Sequence, residues 1–537
     1  MAETTTTSDI ERVLELLRRV DLKYPDGQLL ECFLQNSIDP LQTARYILGR
    51  CSMDGDGLDL ATLLSDWKRL ISVFTHDDSR HPSRDPTVIS TIRKRDRSKC
   101  CLTGLGHSVW DPLVVVPILP TEGLQIHKEL HEVLGIFIGP SLLDWLLLKA
   151  ASLSPEQNHW LVRRSAAAAL AQGFFEFMIG PGLKYTVYTS TVGGPTLPSI
   201  TKKVPLCRTA QFTDCIASHV DNPDTSALEI LSQLACPIRW TGIAREVACK
   251  RPRIVGNGPT ASLCRFLSGR VATALAVAWR LVPSIVRIRA YQGLAFLGAH
   301  VYGPSCSLNV QKLPFGLYLK TGRTRWHRSL ANEFAALQLV RRHTKVPVPS
   351  ALDLASDAEK SYLLTTKVRG IPLGWCIDTL SHDEVTTLVG DLQKCLSELR
   401  AIPKEVPSNY AITNALGKAC YDGRLITGSQ YDEARGDFSG LLWTRTISTT
   451  LSDAGHEIVF THGDLNMRNI MMHNGRLSGF IDWETCGWFP DYWDYTKAHF
   501  ITKLNRRWLK IVDAVFGKLG NYQAELAVER QLWEYCF

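Results

Sequence analysis

Three oxygen-bearing side chains stand in one stretch of this chain at a spacing that suits metal-assisted chemistry. They are Asp464 and Asn469, within Thr461-His-Gly-Asp-Leu-Asn-Met-Arg-Asn469, and Asp482, within Ile481-Asp-Trp-Glu484. Carboxylate and amide oxygens are hard ligands. A few of them with open positions suit Mg²⁺, which keeps part of its shell for water and substrate phosphates. The gap of four residues between Asp464 and Asn469 matches a loop in which an aspartate meets an attacking hydroxyl and an asparagine holds metal, with Asp482 as the second metal carboxylate.

These groups need elements to hold them. Ile458–Phe460 is a short apolar strand that delivers His462-Gly463-Asp464 to its end. Ile470–Met472 and Leu477–Ile481 are two more strands, joined by Asn474-Gly475, a favoured two-residue hairpin turn. Folding that hairpin pairs Met472 with Leu477 and Asn469 with Phe480. Asp482 then falls on the same face and at the same open end as Asn469.

Such a site calls for a lysine on an upstream strand and a glutamate on the following helix. Phe315-Gly-Leu-Tyr-Leu-Lys320 alternates as a strand, with Tyr318 and Lys320 on one face. Ser329–Arg342 reads as a helix with Leu330, Phe334, Leu337 and Val340 on its apolar side. Glu333 points into that stripe, where a carboxylate needs a partner. Lys320 is that partner and is also placed to touch nucleotide phosphates. Val346-Pro-Val-Pro349 ends the helix. Tyr362–Thr366 is a further strand, and Val368–Leu373 is the turn leaving it, a candidate hinge beside an adenine pocket.

From about residue 290 onward the chain resembles the aminoglycoside phosphotransferase branch of the protein-kinase-like fold, in its fungal form. The resemblance is carried by Gly316-Leu-Tyr-Leu-Lys320, Asn332-Glu-Phe334, His462-Gly-Asp-Leu-Asn-Met-Arg-Asn469, Ile481-Asp-Trp-Glu484 and the aromatic run Gly487-Trp-Phe-Pro-Asp-Tyr-Trp-Asp-Tyr495. It implies a two-lobed α+β domain that takes ATP and Mg²⁺ and phosphorylates a hydroxyl. It further implies Asp464 as catalytic base, Asn469 and Asp482 as metal ligands, Lys320 on phosphates and Glu333 positioning Lys320. His462 is expected to support the loop, and Asp494 is a candidate structural acid bonded to it. Tyr302-Gly-Pro-Ser-Cys-Ser-Leu-Asn-Val310 departs from the glycine-rich phosphate loop of protein kinases. Ser305 and Ser307 are candidate substitutes through hydroxyl and backbone donors; a plain connecting turn is the alternative.

The remainder of the 537 residues is too long for a tail. Its divisions read as a helical region (1–87), a nuclease-like module (88–205), a basic helical connector (206–289, with a helix near 262–281) and the kinase-like domain (290–537). Ser8 and Glu11 have capping-box spacing before an amphipathic helix at 8–20, and a second such helix runs over 58–74. Asp54–Asp59 hints at a calcium loop, but Leu58 and Asp59 stand where a ligand and the turn glycine belong. Residues 90–180 weakly resemble a His-Asn-His nuclease module, on the basic run before Cys100, Cys101-Leu-Thr-Gly104, the strand ending at Pro120, and Asn158. The place of the catalytic histidine holds Val114-Val-Val-Pro117 instead, so cleavage is not expected. His127 and His131, with Cys100 and Cys101, do not form a zinc spacing.

Sixty Lys and Arg against 53 Asp and Glu give a net +7, a mild surplus with no demand for nucleic acid. Arg93–Lys99 leaves a phosphate-binding face as an alternative to a solvated one. No secretory signal is read at the start and no membrane span is expected. Fifteen scattered cysteines without a Cys-x-x-Cys point to buried thiols in a reducing, intracellular, cytoplasmic setting. The partners expected are a nucleotide and a small-molecule acceptor. A catalytically silent kinase-like scaffold is the second reading, and nucleic-acid binding the third.

Overall fold

The computed structural model describes residues 8–20, 22–50, 58–75, 82–83, 85–109, 111–120, 126–179, 187–191, 220–249, 278–302, 309–406, 412–418, 420, 455–501 and 505–533. The hinted calcium loop at 54–57, the greater part of the helix expected over 262–281, and Gly303, Ser305 and Ser307 lie outside the described residues. The chain divides into two compact units, Met1–Arg251 and Pro252–Phe537.

The first unit begins with α1 (Asp9–Arg19), α2 (Asp26–Gln35), α3 (Pro40–Arg50), α4 (Leu58–Thr75) and α5 (Pro86–Arg95). The Ser8–Glu11 capping box closes as its spacing predicts, each side chain meeting the other residue's backbone N–H. After β1 (Leu113–Pro117) come α6 (His131–Ile138), α7 (Pro140–Leu148), β2 (His159–Arg163), α8 (Arg164–Ala171), β3 (Phe175–Ile179), β4 (Val187–Thr191), α9 (Thr225–Gln233) and α10 (Ala235–Cys249). β1 pairs with β2 and β3 with β4, both antiparallel.

One hydrophobic cluster runs from Val13 to Ile243. At its centre the Trp67 ring sits 4.8 Å from Phe33 and 4.7 Å from Phe137, and its indole N–H reaches the Leu29 carbonyl. Val115 and Val116, where a nuclease would need its histidine, are buried in this core. Asn158 is spent on the backbone, exchanging hydrogen bonds with the N–H and C=O of Leu119.

The basic run at 93–99 is corrected at one position. Arg95 is 1% exposed, paired with Asp96 and donating to the carbonyls of Glu156, His159 and Asp221. It staples the fold and is not part of a charged surface.

Among the described residues the second unit has two hydrophobic clusters, one for each lobe. The smaller gathers around Ile288, Tyr291, Leu319 and Tyr362. It lies between α11 (Ser284–Tyr302) and an antiparallel sheet of β5 (Val310–Leu313), β6 (Leu317–Arg323), β7 (Ala351–Ser356) and β8 (Lys360–Thr366), in the order β5-β6-β8-β7. Buried Asp353 accepts from Arg287 and Tyr291 and so anchors α11 to β7. α12 (His327–His343) lies between β6 and β7 in the chain and packs on this sheet.

The larger cluster is built on α13 (His382–Arg400), α14 (Trp493–Ile501), α15 (Arg506–Phe516) and α16 (Gln523–Trp533). It also covers two small sheets. One joins β9 (Ile371–Pro372), β12 (Ile470–His473) and β13 (Arg476–Phe480). The other joins β10 (Thr413–Asn414), β11 (Ile458–Thr461) and β14 (Gly487–Pro490). The aromatic run supplies its bulk: Trp488, Phe489, Tyr492, Trp493 and Tyr495 are all buried. No helix among the described residues is long and apolar enough to cross a membrane.

Candidate active site

The β12–β13 hairpin turns at Asn474-Gly475, both with positive φ, as that pair predicts. Met472 faces Leu477 as expected, but the pairing then slips. Met471 faces Gly479 and Ile470 faces Phe480, with a bulge that leaves Ser478 as the extra residue. Asn469 therefore stands opposite Ile481, whose N–H it receives at 2.9 Å, and not opposite Phe480. The cause lies at Gly479, which runs against the chain entering the small-lobe sheet. A Cβ there would come 2.7 Å from the Pro347 carbonyl oxygen, and the next residue, Phe480, donates its N–H to that same oxygen at 3.0 Å. The bulge brings Asp482 one residue nearer to Asn469 than a regular ladder would. Asp482 itself has φ +66, a backbone turn that re-aims its carboxylate.

The loop between β11 and β12 is held from behind. Asp494, 3% exposed on α14, accepts the backbone N–H of His462 at 3.0 Å and of Gly463 at 2.8 Å. The fully buried His462 ring spans the loop: Nε2 meets the Ile481 carbonyl and Nδ1 accepts the Asp464 N–H. The ring is thereby committed to structure at both nitrogens. Gly463 has φ +77 and lies against Thr485, whose carbonyl oxygen would be 2.2 Å from any Cβ.

Asp464 is thus presented on a fixed backbone. Its Oδ2 accepts from Asn469 at 2.8 Å and from Asn466 at 3.1 Å. Asn469 spends its amide N–H groups on Asp464, which leaves its amide oxygen as the atom that could face a cation. Burial raises the Asp464 carboxyl above its ordinary value, Lys497 and His462 pull it down, Asp482 pushes it up, and the Asn469 bond lowers it; the net shift is upward.

Lys320 and Glu333 meet as the sequence predicts, at 2.9 Å. Lys320 also reaches Asp482 at 2.6 Å and Glu484 at 2.9 Å. Burial disfavours its charge, but three carboxylates outweigh that and hold the ammonium well above the ordinary lysine range. Glu333, itself buried, takes the backbone N–H of Trp483 as well. Its carboxyl is raised, chiefly by that burial. Glu333, Asp482 and Glu484 place their oxygens within 4.8 Å of one another, a donor set of the hard kind that a divalent cation takes.

Three residues of the site escaped assignment from sequence. Glu484 stood in the quoted motif without a role, and its distance of two residues from Asp482 was the signal. Asn332, 3% exposed, donates to the carbonyls of Glu484 and Cys486 and accepts the Ala415 N–H, all at 2.9 Å. It fastens α12 to the segment that carries Asp482. Lys497, 7% exposed on α14, supplies positive charge to Asp464; it lies one helical turn beyond Asp494.

A lysine on a small-lobe strand, a helical glutamate, a carboxylate loop and a second carboxylate after a hairpin thus come together at one site in the second unit. Residues 312–526 match the model of the phosphotransferase enzyme family. Among solved structures, the chain is similar to aminoglycoside phosphotransferase APH(3'')-Id from Streptomyces rimosus in complex with ADP and streptomycin. That match has 18% identity over 46% of this chain and 97% of the other, with TM-score 0.33. It is also similar to aminoglycoside phosphotransferase APH(4)-Ia, at 14% identity over 43% and 81% with TM-score 0.30. A third match is APH(2")-IIa in its ternary complex with streptomycin and ATP, at 15% identity over 42% and 77% with TM-score 0.31.

Proposed function

We propose that the protein moves the γ-phosphoryl group of ATP to a hydroxyl of a small-molecule acceptor in a Mg²⁺-dependent reaction. The observation that carries this reading is the Lys320 ammonium, bonded to Glu333 on one side and to Asp482 on the other. Glu333 fixes the strand lysine to the helix, and the ammonium faces the carboxylate that a phosphate-bound metal would share.

In this reading Asp464 accepts the acceptor's proton as the acceptor oxygen bonds to the γ-phosphorus and the bond to the ADP oxygen breaks. Asn469 and Asn466 hold the Asp464 carboxylate in one orientation, and Asp494 fixes the backbone that carries it. Lys320 orients the nucleotide phosphates. Asp482 and the Asn469 amide oxygen are the residues that would hold Mg²⁺, with Glu484 beside them; the ion when bound neutralises phosphate charge. Fixing these groups in advance supplies positioning and charge stabilisation without reorganisation.

The test is ATP consumption by the purified full-length chain against a library of hydroxyl compounds that includes aminoglycosides, with Asp464→Ala as the blank. Mg-ATP should raise the melting temperature of both proteins, and only the native chain should turn over. A chain that gives no thermal shift at millimolar Mg-ATP would sink the reading. So would an Asp464→Ala variant that turns over as the native chain does.

A further inference from the structure

The outer face of α11 is apolar and open. The helix packs on β5 and β7 and buries Ile288, Tyr291 and Gly298. At Gly298 the approach is so close that a Cβ would lie 2.2 Å from the Lys312 carbonyl oxygen. This face is therefore sealed against the sheet. On a helix at the surface of a globular domain the opposite face is ordinarily polar. Here it carries Ile285, Val286, Phe296 and Leu297, with Ile285 67% and Phe296 77% exposed. The polar side chains among them are Arg289, Gln292 and His300, none of them acidic.

The patch continues past the helix. The turn Pro314–Gly316, between β5 and β6, lies beside α11. It holds Phe315 93% exposed at a φ of +62. A bulky side chain in the left-handed region is strained, and strain that turns a phenyl ring out to water points to a use for the ring. Charge around the patch is mainly of one sign. Exposed Lys367 donates its backbone N–H to the Gly316 carbonyl at 2.8 Å. The Lys312 ammonium lies 4.0 Å from the centre of the Tyr302 ring, at the end of α11. Arg289, Lys312 and Lys367 have no ion-pair partner among the described residues; exposed Asp357, on the turn after β7, feels Arg289 at longer range. From Val247 to Asn332 the sequence has thirteen Lys and Arg and no Asp or Glu, although the whole chain carries 53 acids.

We infer that α11 and the turn at Phe315 form a docking surface for an anionic lipid bilayer. The exposed apolar side chains enter the boundary between headgroups and acyl chains, and the flanking cations meet the negative headgroups. A nucleic acid would use the cations and leave Ile285, Phe296 and Phe315 in water. A second copy of the chain would set the same cations against each other across a two-fold interface. A lipid surface uses both the apolar groups and the charge. α11 lies on the bilayer in this arrangement, since no helix among the described residues is long and apolar enough to cross it. The surface is independent of the phosphotransfer reading.

The test is flotation of the full-length chain with vesicles of phosphatidylcholine, made with and without phosphatidylserine. The native chain should float with the phosphatidylserine vesicles, and added salt should weaken the binding. Phe296→Ser and Phe315→Ser, each checked for a native melting temperature, should weaken it by roughly tenfold apiece, because each withdraws one large apolar side chain from the bilayer. Phe296→Leu keeps an apolar side chain and should bind as the native chain does. Arg289→Glu combined with Lys367→Glu should remove the preference for phosphatidylserine. A native chain that stays with neither kind of vesicle would overturn the inference, as would serine variants that float as the native chain does. Without flotation, a dimer that Phe296→Ser dissolves would assign the face to a second copy. Binding of an oligonucleotide that Phe296→Ser leaves intact would assign it to nucleic acid, and either result overturns the lipid assignment.

Discussion

The ammonium of Lys320 lies 2.6 Å from Asp482 Oδ1 and joins β6 of the small lobe to the end of β13 in the large one. The contact closes 162 residues of chain, and Glu333 and Glu484 complete it. Replacing Lys320 by Met leaves three carboxylates facing one another. Removing one partner of a buried ion pair costs about 3–5 kcal/mol, so a loss near the lower figure is expected, since Asp482 and Glu484 are partly exposed. Chemical denaturation measures it. The Mg-ATP thermal shift should vanish in the same variant.

Asp464 should behave oppositely. Its carboxyl is raised in the fold, first by burial, so the folded state holds its proton more tightly than the unfolded chain does. A raised folded value contributes stability below the unfolded value, and that contribution is lost as pH rises through the folded one. Asp464→Asn removes the buried charge. It should melt higher than the native chain at pH 7, and the difference should shrink as pH falls below the ordinary aspartate value of 3.8. The acid limb of kcat/KM for the native chain should lie above that value, because the proposed base acts in its ionised form. Melting curves and pH–rate profiles read the two effects.

Gly463 tolerates no side chain. Gly463→Ala would set a Cβ 2.2 Å from the Thr485 carbonyl oxygen at a φ of +77. The loop must move, and Asp464 moves with it. We expect destabilisation of about 2 kcal/mol or more and loss of turnover by at least ~10²-fold, as small misplacements cost that much. Steady-state kinetics and urea unfolding check both.

Asn332 is a structural joint more than a chemical group. Asn332→Ala orphans the buried N–H of Ala415 and two carbonyls. At roughly 1 kcal/mol for each hydrogen bond lost, and more for groups left unpaired, about 3 kcal/mol should go. Turnover should fall further than nucleotide affinity, because the joint sets where Asp482 sits.

Much of this site was legible in the sequence because its information is local. The Asp464–Asn469 spacing, the Asn474-Gly475 turn and the alternation around Lys320 each act within a few residues. The α12 stripe placed Glu333 opposite Lys320 because helical periodicity needs no tertiary knowledge. What failed was set from a distance. The register of the hairpin depends on Ser478, and that bulge depends on Pro347 pressing against Gly479, which lies more than a hundred residues away in the chain. Arg95 read as one of a basic run because its carbonyl partners at Glu156, His159 and Asp221 carry no side-chain signature. Glu484 was hidden by the turn at Asp482, which swings it back toward Lys320.

The contact of Pro347 with Gly479 and Phe480 also ties the segment that leads into β7 to the hairpin that leads to Asp482. A carbonyl that receives the Phe480 N–H and leaves no room for a side chain at Gly479 makes a tight seam between the two segments. The Lys320–Asp482 contact stands just beyond that seam, so a change at Gly479 is passed to it through a short stretch of chain.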